Sequence, residues 1–312
     1  MIVITGASGY VGSHITRQLV KEGKSVRAMV RSVESAKKEQ RLNGLAVEWI
    51  AGDVTRPETL IAVMRDATAV VHTVAVAIEK GSRTYEAINY QGTVNVAEAA
   101  EKAGVRRFIN LSQLGADARL PYRFLASKGK AQVVVAASKL EWTAFRPSVI
   151  WGPEDEFANT FARLIPITPF IFPIVGDQNS KFQPVWVGDV AACVAKSLDD
   201  PATIGNQYEL GGPEILTLEE IERRTLLALG SKRLMIHFPL WLLKPIVTLL
   251  EKLLPAPPVT RSLLELLAVS NVTQNNAIYR FIENPRAFTV DNAAAYMRQF
   301  RVRDTLAQFM GK

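Results

Sequence analysis

The segment TGASGYVG, Thr5 to Gly12, constrains this chain most, because an apolar run precedes it and a helical pattern follows it. Ile2 to Thr5 form a short apolar run of the kind found in buried strands. In the next segment, apolar residues recur at helical spacing until Gly23, which is a typical helix stop. The pattern therefore predicts a strand, a glycine-rich turn and a helix, which together form the first unit of many dinucleotide-binding domains.

Each glycine of this turn has a separate predicted role. Gly6 allows the tight turn, Gly9 lets the main chain approach a pyrophosphate, and Gly12 allows the helix to pack closely on the strand. Phosphate oxygens are also stabilised by the N–H groups and the positive dipole end of a helix. An ordinary strand–helix turn is the alternative interpretation. The predicted phosphate-binding residues are Gly6, Ser8, Gly9, Tyr10, Val11 and Gly12.

The residue after the second predicted strand distinguishes the two pyridine dinucleotides. The strand SVRAMV is followed by Arg31, at the position where an acidic residue would bind the ribose 2′-hydroxyl of NAD. An arginine suits a 2′-phosphate at this position, whereas a carboxylate would repel one. We therefore predict NADP(H) in preference to NAD(H). The alternative is a solvated arginine at the end of a strand.

Strand-like and helical segments alternate along the first 150 residues, which predicts an α/β fold with a parallel, doubly wound sheet of Rossmann type. We expect this domain to contain residues 1–150 and about 177–210. Residues 151–176 and 211–312 would then form a smaller, mainly helical C-terminal lobe. Within that lobe, the three prolines of IPITPFIFPIV, Ile165 to Val175, favour an irregular loop or a broken helix over a regular element.

The composition limits the classes of partner. The net charge of +7 at pH 7 and the pI of about 9.5 permit contact with phosphates, anionic lipid or acidic proteins. Lysines and arginines do not cluster among aromatic residues, so nucleic-acid binding is not expected. Cys193 is the only cysteine, which excludes an intrachain disulfide and favours a reducing compartment. Because MIVITGASG begins with a strand pattern, we expect no leader peptide and a cytoplasmic location.

Several motifs together resemble one protein superfamily. The turn has GxxGxxG rather than GxGxxG spacing, which resembles the extended and atypical short-chain dehydrogenases/reductases, a superfamily that includes NAD(P)-dependent epimerases and dehydratases. With FINLSQLGAD, FRPSVIWGPEDEF, QPVWVGDVA and YELGGPEILTLEEI, the chain looks most like one atypical branch. That branch includes the NADPH-binding accessory subunit of respiratory complex I and its bacterial relatives. The resemblance implies a Rossmann domain that holds a pyridine dinucleotide.

The same resemblance places further residues beside the cofactor. Asp53, followed by Val54, matches an aspartate that contacts the adenine amino group. Asp53 could also cap the helix that begins near Pro57, and the two roles are compatible. Val74 and Ala75 follow the fourth predicted strand and would lie along the cofactor. Pro147 belongs to a motif whose main chain lies along the nicotinamide in the superfamily.

The catalytic motif of the superfamily, YxxxK, is only partly present. In the superfamily the lysine holds the nicotinamide ribose and lowers the pKa of the tyrosine, which then exchanges a proton near neutral pH. The matching residues run from Phe124 to Lys128, so the lysine is kept and the phenol is missing. Ser112, at the end of the fifth predicted strand, and Tyr122 are the other candidate catalytic residues. His72 is interpreted as a core residue, and no metal site is predicted.

Two functions stay open from the sequence. The first is an NADP-dependent oxidoreductase or isomerase for a hydrophobic substrate such as a quinone, an isoprenoid or a lipid. The second is a non-catalytic NADPH-bound accessory subunit or assembly factor of a respiratory-type membrane complex.

The segment Leu234–Leu254 is the most apolar part of the chain. Its apolar runs are too short to span a membrane, and Pro239 and Pro245 are expected to break it. It suits a core helix of the smaller lobe or a lid over a greasy substrate. It also suits a peripheral surface that docks on a membrane or a partner, with Trp241 among the contacting residues.

Overall fold

The structure is a computed structural model and describes residues 1–38, 40–175, 180–238, 240–254, 264, 266–267, 269–297 and 302–310. The chain forms two compact units. Unit 1 contains Met1–Pro147, Val187–Leu210 and Asn275–Asn284. Unit 2 contains Ser148–Trp186, Gly211–Gln274 and Pro285–Lys312.

Strands and helices alternate along most of the described chain. The strands are β1 Ile2–Thr5, β2 Val26–Val30, β3 Val47–Ala51, β4 Ala69–His72, β5 Arg107–Leu111, β6 Glu141–Pro147, β7 Ile150–Trp151, β8 Ile171–Val175, β9 Lys181–Phe182, β10 Val185–Trp186, β11 Asn206–Leu210, β12 Leu216–Thr217 and β13 Leu234–Phe238. The α-helices are α1 Tyr10–Lys21, α2 Val33–Lys38, α3 Pro57–Val63, α4 Gly92–Lys102, α5 Arg123–Ala137, α6 Ala158–Leu164, α7 Val187–Leu198, α8 Leu218–Ala228, α9 Leu240–Leu253, α10 Ile278–Phe281, α11 Val290–Ala294 and α12 Val302–Phe309.

Unit 1 is built on a parallel sheet whose described strands follow the order β11-β6-β5-β4-β1-β2-β3. This is the doubly wound arrangement of a Rossmann-type fold, with β11 added at one edge, and it confirms the predicted fold class. β1 is buried along its whole length because it pairs with β2 on one side and β4 on the other. The strand order reverses between β1 and β4, so a crevice for ligands is expected at their carboxyl ends.

The helix after β4 begins with a wide π turn. Tyr85–Gln91 is a π-helix that continues directly into α4, and the Thr84 side chain caps its start. The wide turn places Asn89 in the core, where it accepts from the N–H of Val76 at 2.8 Å and donates to the carbonyl oxygen of Val76 at 3.1 Å. These two bonds satisfy the main chain of the loop that follows β4 and hold it at the carboxyl end of the sheet.

Unit 2 is mainly helical in the part of the chain that the structure describes. Its short strands form three pairs, which are β7 with β10, β9 with β12 and β8 with β13. Thr217 and Glu220 form a capping box that starts α8. The helices pack around buried aromatic residues, among them Trp151, Phe172 and Phe288. No helix among the described residues is long and apolar enough to cross a membrane.

The prolines of Ile165 to Val175 do not prevent a regular element, so the prediction of a loop or broken helix over this whole segment is wrong. Ile165–Ile167 is a short 3₁₀ helix, and Ile171–Val175 is a strand that pairs in parallel with β13. Pro173 is tolerated in this strand because, among the described residues, β8 pairs with only one neighbour.

The apolar segment Leu234–Leu254 is a strand followed by a helix. α9 continues through Pro245, so the predicted break at this proline is wrong. A proline near the start of a helix removes one main-chain hydrogen bond, and the rest of the helix retains its bonds. Val247 is buried in the core of unit 2, which agrees with the interpretation of a core helix. Pro239 and the side chain of Trp241 lie outside the described residues.

Candidate functional site

The turn after β1 has no room for side chains at two of its three glycines. Gly6 has a φ of +77°, in the left-handed region that favours glycine, and an added Cβ atom would lie 2.9 Å from Thr73 Oγ1. At Gly12, an added Cβ atom would lie 2.1 Å from the carbonyl oxygen of Gly6. Gly9 closes the turn by donating its N–H to the same oxygen at 2.9 Å. The helix α1 therefore begins in direct contact with the end of β1.

The start of α1 has the features of an anion-binding helix end. Gly9 is the N-cap, and no side chain caps the helix. The first N–H groups of a helix have no partner within the helix, and the helix dipole is positive at this end. Tyr10 and Val11 form the first turn, where the Tyr10 ring packs edge-on against His14 at a centroid distance of 5.6 Å. The turn can therefore offer main-chain N–H groups to phosphate oxygens.

A cavity of about 540 Å³ opens at the carboxyl ends of the central strands, a size typical of small-molecule sites. Its lining includes these residues predicted for the cofactor: Gly6, Ser8, Gly9, Arg31, Asp53, Val54, Val74 and Ala75. Tyr10, Val11 and Gly12 lie in the first turn of α1, next to the lining glycines. The other candidate residues are outside the lining of this cavity, namely Ser112, Tyr122, Lys128 and Pro147.

One edge of the cavity carries more positive charge than the sequence pattern indicates. Arg31 is exposed at the end of β2 and lines the cavity together with Arg83. Arg41 reaches the glycine turn and donates to the carbonyl oxygen of Ser8 at 3.1 Å. Sequence reasoning missed Arg41 because it lies in a short 3₁₀ helix, Gln40–Leu42, that has no apolar periodicity.

Asp53 lines the same cavity as an ionised carboxylate. Partial burial opposes its ionisation, but hydrogen bonds from Thr55 and the charges of Arg31 and Arg56 outweigh burial, so its pKa is lowered from the ordinary value. Its Oδ1 accepts from the main-chain N–H of Thr55 at 2.9 Å and from the Thr55 hydroxyl at 2.8 Å. The N-cap of α3 is Arg56, so the prediction that Asp53 also caps that helix is wrong.

A second polar group lies at the end of β5. Lys128 is buried, and its Nζ donates to the carbonyl oxygen of Leu111 at 3.0 Å. Burial lowers the pKa of Lys128 to about 8. The next residue of the strand end, Ser112, is also buried, and its Oγ has no hydrogen-bond partner among the described residues. A buried hydroxyl without a partner is unusual, and it fits a group that a ligand completes.

The position of the expected phenol is apolar. Phe124 lies in the first turn of α5 and packs against Val76, Tyr85 and Ile88. Its ring meets the Tyr85 ring edge-on at a centroid distance of 5.6 Å. The hydroxyl of Tyr85 donates to the carbonyl oxygen of Ala77 at 2.8 Å, so this phenol already has a structural partner. The phenyl ring thus fills the place of the expected proton donor without supplying a hydroxyl.

The two remaining candidate residues lie at the start of α5 and at the end of β6. Tyr122 is the N-cap of α5 and is half-buried. Pro147 is buried at the end of β6, where its carbonyl oxygen accepts from the N–H of Leu114 at 2.9 Å. The structure therefore places Tyr122 at the entrance of the helix that carries Lys128, and Pro147 beside the loop that follows Ser112.

His72 is a buried residue with both ring nitrogens bonded. The hydroxyl of Thr93 donates to the carbonyl oxygen of Asn89 at 2.7 Å, so it accepts from Nε2–H of His72 at 3.0 Å. Nδ1 is then the acceptor for the Thr5 hydroxyl at 2.7 Å. Burial and the charge of Lys128 lower the pKa of His72 to about 3. The ring is therefore a neutral part of the core, and the described residues contain no cluster of metal-binding side chains.

Comparison with known proteins gives the same assignment of fold and ligand class. A family model described as NAD(P)H-binding matches residues 6–201. The chain is 32% identical over 222 residues to NADH dehydrogenase (ubiquinone) 1 alpha subcomplex subunit 9, mitochondrial, of Arabidopsis thaliana. This match covers 70% of the chain but only 55% of that protein, so the chain spans about half the length of this relative.

Two further matches cover most of both chains. The chain is 27% identical over 239 residues to a ceramide reductase of Caulobacter vibrioides, which covers 77% of this chain and 74% of that protein. A solved structure of UDP-glucose 4-epimerase from Thermus thermophilus in complex with NAD has a TM-score of 0.70 and 19% sequence identity, and the match covers 98% of both chains. At that identity the structural match supports the fold alone.

Proposed function

The chain belongs to the NAD(P)H-binding family, and from this premise we propose that it retains NADPH without the tyrosine-dependent proton transfer of short-chain reductases. The observation that carries the proposal is the packing of Phe124 against the Tyr85 ring, at a centroid distance of 5.6 Å. The binding end of the proposed site offers groups that would hold a dinucleotide, whereas α5 carries a phenyl ring, Phe124, at the position four residues before Lys128 where the superfamily has a phenol.

The groups around the cavity fit the parts of NADPH. The glycine turn and the start of α1 would hold the pyrophosphate through main-chain N–H groups. The carboxylate of Asp53 would accept from the adenine amino group. Arg31, with Arg41 at the same edge, would bind the 2′-phosphate, because guanidinium groups pair with phosphate through charge-assisted hydrogen bonds. The choice of NADPH over NADH rests on these two arginines.

At the reaction end, the residues of the chain can hold a nicotinamide ribose but have no strong proton donor. The nicotinamide supplies hydride chemistry when it is bound. Lys128 would donate to the ribose hydroxyls, and the unpaired hydroxyl of Ser112 would bond to the ligand. An unactivated serine hydroxyl is a weak acid, and Phe124 supplies no proton. The arrangement therefore favours retention of the nucleotide over its turnover.

A second function, reduction of a hydrophobic carbonyl or quinone, is favoured by one observation. The buried Oγ of Ser112 has no partner among the described residues, and a substrate carbonyl would satisfy it. The name of the ceramide reductase relative is consistent with a substrate of this kind. The proton would then come from Tyr122, from Lys128 or from water. Isomerase chemistry on such a substrate would also need a proton donor in place of the phenol that Phe124 replaces.

We place the retained nucleotide in an accessory or assembly role at a membrane complex, with the protein in the cytoplasm or peripheral on the membrane. The support is the name of the Arabidopsis relative, which is a subunit of NADH dehydrogenase. In such a role the nucleotide stabilises the folded state by mass action, since a ligand that binds only the folded state raises its stability. Pull-down from native membranes with the full chain tests the partner.

Two measurements on purified full-length protein test the central proposal. Mass spectrometry of the nucleotide released on denaturation should find NADPH or NADP⁺ in near-equimolar amount. Addition of a quinone or a long-chain ketone should then leave the absorbance of the reduced nicotinamide unchanged. Oxidation of the nucleotide coupled to reduction of the additive would support the second function instead.

The variant Ser112→Ala serves as a control that separates the two functions. Under the retention proposal, the loss of one hydrogen bond weakens nucleotide binding only slightly, so the protein still contains the nucleotide, and NADPH oxidation stays at the background level. Under the reductase alternative, it lowers the rate of NADPH oxidation because the carbonyl loses a hydrogen-bond donor. If no nucleotide is released and calorimetry with added NADPH records no heat, both functions fail.

A further inference from the structure

We propose that unit 2 carries a docking surface for an anionic phospholipid membrane. This surface, the apolar–basic patch, consists of Phe170, Ile171, Leu227, Leu234, Lys232 and Arg233. The patch differs from the apolar segment Leu234–Leu254 described above, because Leu234 is the one patch residue that belongs to that segment. The proposal does not depend on whether the dinucleotide is turned over.

The apolar members of the patch are exposed to solvent. The exposed fraction is 81% for Phe170, 64% for Leu234, 54% for Leu227 and 43% for Ile171. Single exposed apolar residues are common on protein surfaces, but a contiguous group of large ones marks an interaction site.

Main-chain pairing and a shared cavity make the four residues neighbours. Ile171 of β8 is directly opposite Leu234 of β13 in the parallel pair. The N–H of Leu234 also donates to the carbonyl oxygen of Phe170 at 3.1 Å. Leu227, at the end of α8, lines the same cavity of about 490 Å³ as Leu234. The exposed apolar residues therefore form one surface that runs from the start of β8 to the end of α8.

Two cations lie within this apolar surface. Lys232 and Arg233 line the cavity with Leu227 and Leu234. The Nε of Arg233 donates to the carbonyl oxygen of Thr168 at 2.9 Å, which holds the guanidinium next to the start of β8. Neither cation forms an ion pair with a carboxylate in the part of the chain that the structure describes. Both charges are therefore available to an external anion.

The acidic residue in the same cavity is already neutralised. Glu219 forms an ion pair with Arg223, and its other carboxylate oxygen lies 3.1 Å from Nε2 of His237. Its charge therefore does not cancel those of Lys232 and Arg233. The whole chain has a net charge of +7, which adds to the attraction of an anionic surface.

The combination of a protruding aromatic residue and adjacent cations favours lipid over a protein partner. Protein–protein interfaces enrich arginine but deplete lysine at their apolar centre, so Lys232 within the patch argues against a protein partner. At a membrane, Phe170, Ile171 and Leu234 would enter the boundary between headgroups and acyl chains, while Lys232 and Arg233 meet the lipid phosphates. The exposure of Phe170 at the end of a strand pair suits insertion of this kind.

Flotation of the full-length protein with vesicles tests the docking surface. Wild-type protein should float with vesicles of phosphatidylcholine and phosphatidylglycerol, float much less with phosphatidylcholine alone, and lose binding as salt rises. Phe170→Glu should lower the partition coefficient about tenfold or more. The double variant Lys232→Glu and Arg233→Glu should lose most of the preference for the anionic vesicles, because these two charges lie within the patch and only the weaker attraction of the rest of the chain remains.

Ile61→Glu is the matched control, because Ile61 is 71% exposed on α3 of unit 1. It should float like the wild type, and every variant should keep its thermal melting curve and the same nucleotide content. Absence of wild-type flotation, or equal losses for Ile61→Glu and Phe170→Glu, would overturn the proposal. The proposal also fails if Phe170→Glu converts a dimer to a monomer without any vesicle binding, since the patch would then join two copies.

Discussion

The turn between β1 and α1 and the first turns of α5 both lie at the carboxyl end of the sheet in unit 1, and short-chain reductases use both. The turn keeps the glycines at which a side chain would collide, with an added Cβ at Gly12 only 2.1 Å from the oxygen of Gly6. The start of α5 keeps Lys128 but has Phe124 in place of the phenol. Under the proposed function, the groups that would bind the nucleotide are kept and the group that would donate a proton is missing.

The two regions differ because their functions depend on different parts of the chain. The turn works through main-chain N–H groups and close approach, so its function is inseparable from the local fold. The reaction end works through one hydroxyl on a ring that packs equally well without it. Phe124 keeps its contacts with Tyr85 and Val76, so loss of the hydroxyl costs the fold little. Proton transfer can therefore be lost while nucleotide binding persists.

The most severe test of the comparison is the substitution Gly12→Val. Two methyl groups and a Cβ atom cannot fit against the carbonyl oxygen of Gly6, so α1 must move away from the end of β1. We expect no measurable nucleotide after purification, as judged by mass spectrometry of the released ligand. Gly23→Asn is the control, since nothing lies within 4 Å of an added Cβ there and asparagine tolerates positive φ. Retention in the Gly12 variant would show that the turn does not bind the nucleotide.

The second test uses the pH dependence of stability to measure the burial of Lys128. Its pKa is about 8 in the folded protein and 10.5 ordinarily, so the unfolded chain binds this proton more strongly. Stability therefore rises as pH increases from about 8 to 10.5, by up to about 3 kcal/mol, and below this window both states are protonated. Lys128→Met should lack the rise in urea unfolding followed across this window.

Lys102→Met provides the reference for the other groups that titrate at high pH. Lys102 is exposed on α4, so its loss should leave the wild-type increase in the free energy of unfolding intact. If the Lys128 and Lys102 variants follow the same curve, Lys128 is hydrated in solution. The inference that the reaction end holds a buried lysine would then be wrong.

The third test concerns the choice between the two dinucleotides. Arg31→Asp should weaken NADPH binding about tenfold, because the 2′-phosphate loses a charge-assisted partner and meets a carboxylate. NADH should bind with nearly unchanged affinity in calorimetry. Arg65→Asp is the matched charge reversal, since Arg65 is exposed and outside the cavity lining. Equal weakening of both nucleotides by the Arg31 variant would remove the preference for NADPH.

The sequence predicts the features that depend on neighbouring residues. Three features are predicted correctly: the glycine turn, the order of strands and helices in unit 1, and the missing phenol at Phe124. Each of them is determined by residues that lie a few positions apart in the sequence. Arg41 could not be found in this way, because its contact with Ser8 joins residues 33 positions apart. Its position depends on how the segment between β2 and β3 folds back onto the turn, which no local pattern specifies.

Two predicted features differ in the structure, one because of a distant strand and one because of a competing local hydrogen bond. Three prolines in Ile165 to Val175 indicate irregular structure, but the strand β8 forms because β13, far along the chain, supplies a partner. Asp53 has the residue type of a helix cap, yet its carboxylate bonds to Thr55 instead. In the first case a strand partner from another part of the chain overrides the local propensity. In the second case a local hydrogen bond from Thr55 occupies the carboxylate that would have capped the helix.

The smallest effect is expected from the substitution that restores the motif, Phe124→Tyr. If the site retains NADPH and binds no substrate, the new phenol beside Lys128 has nothing to protonate. The rate of NADPH oxidation with quinones or long-chain ketones should then stay at the background level of the wild type. A general acid at a site that does bind substrate typically contributes about 10²- to 10⁴-fold, so the assay can separate the two cases.

A rise of that size would show that only one hydroxyl separates this chain from an active reductase. The double variant Phe124→Tyr with Lys128→Met identifies the source of such a rise, because the phenol needs the lysine charge to titrate near neutral pH. If the double variant loses the gain, the restored pair acts as it does in the superfamily. If neither variant changes the rate of NADPH oxidation while both retain the nucleotide, the glycine turn and the start of α5 serve nucleotide binding without a reaction.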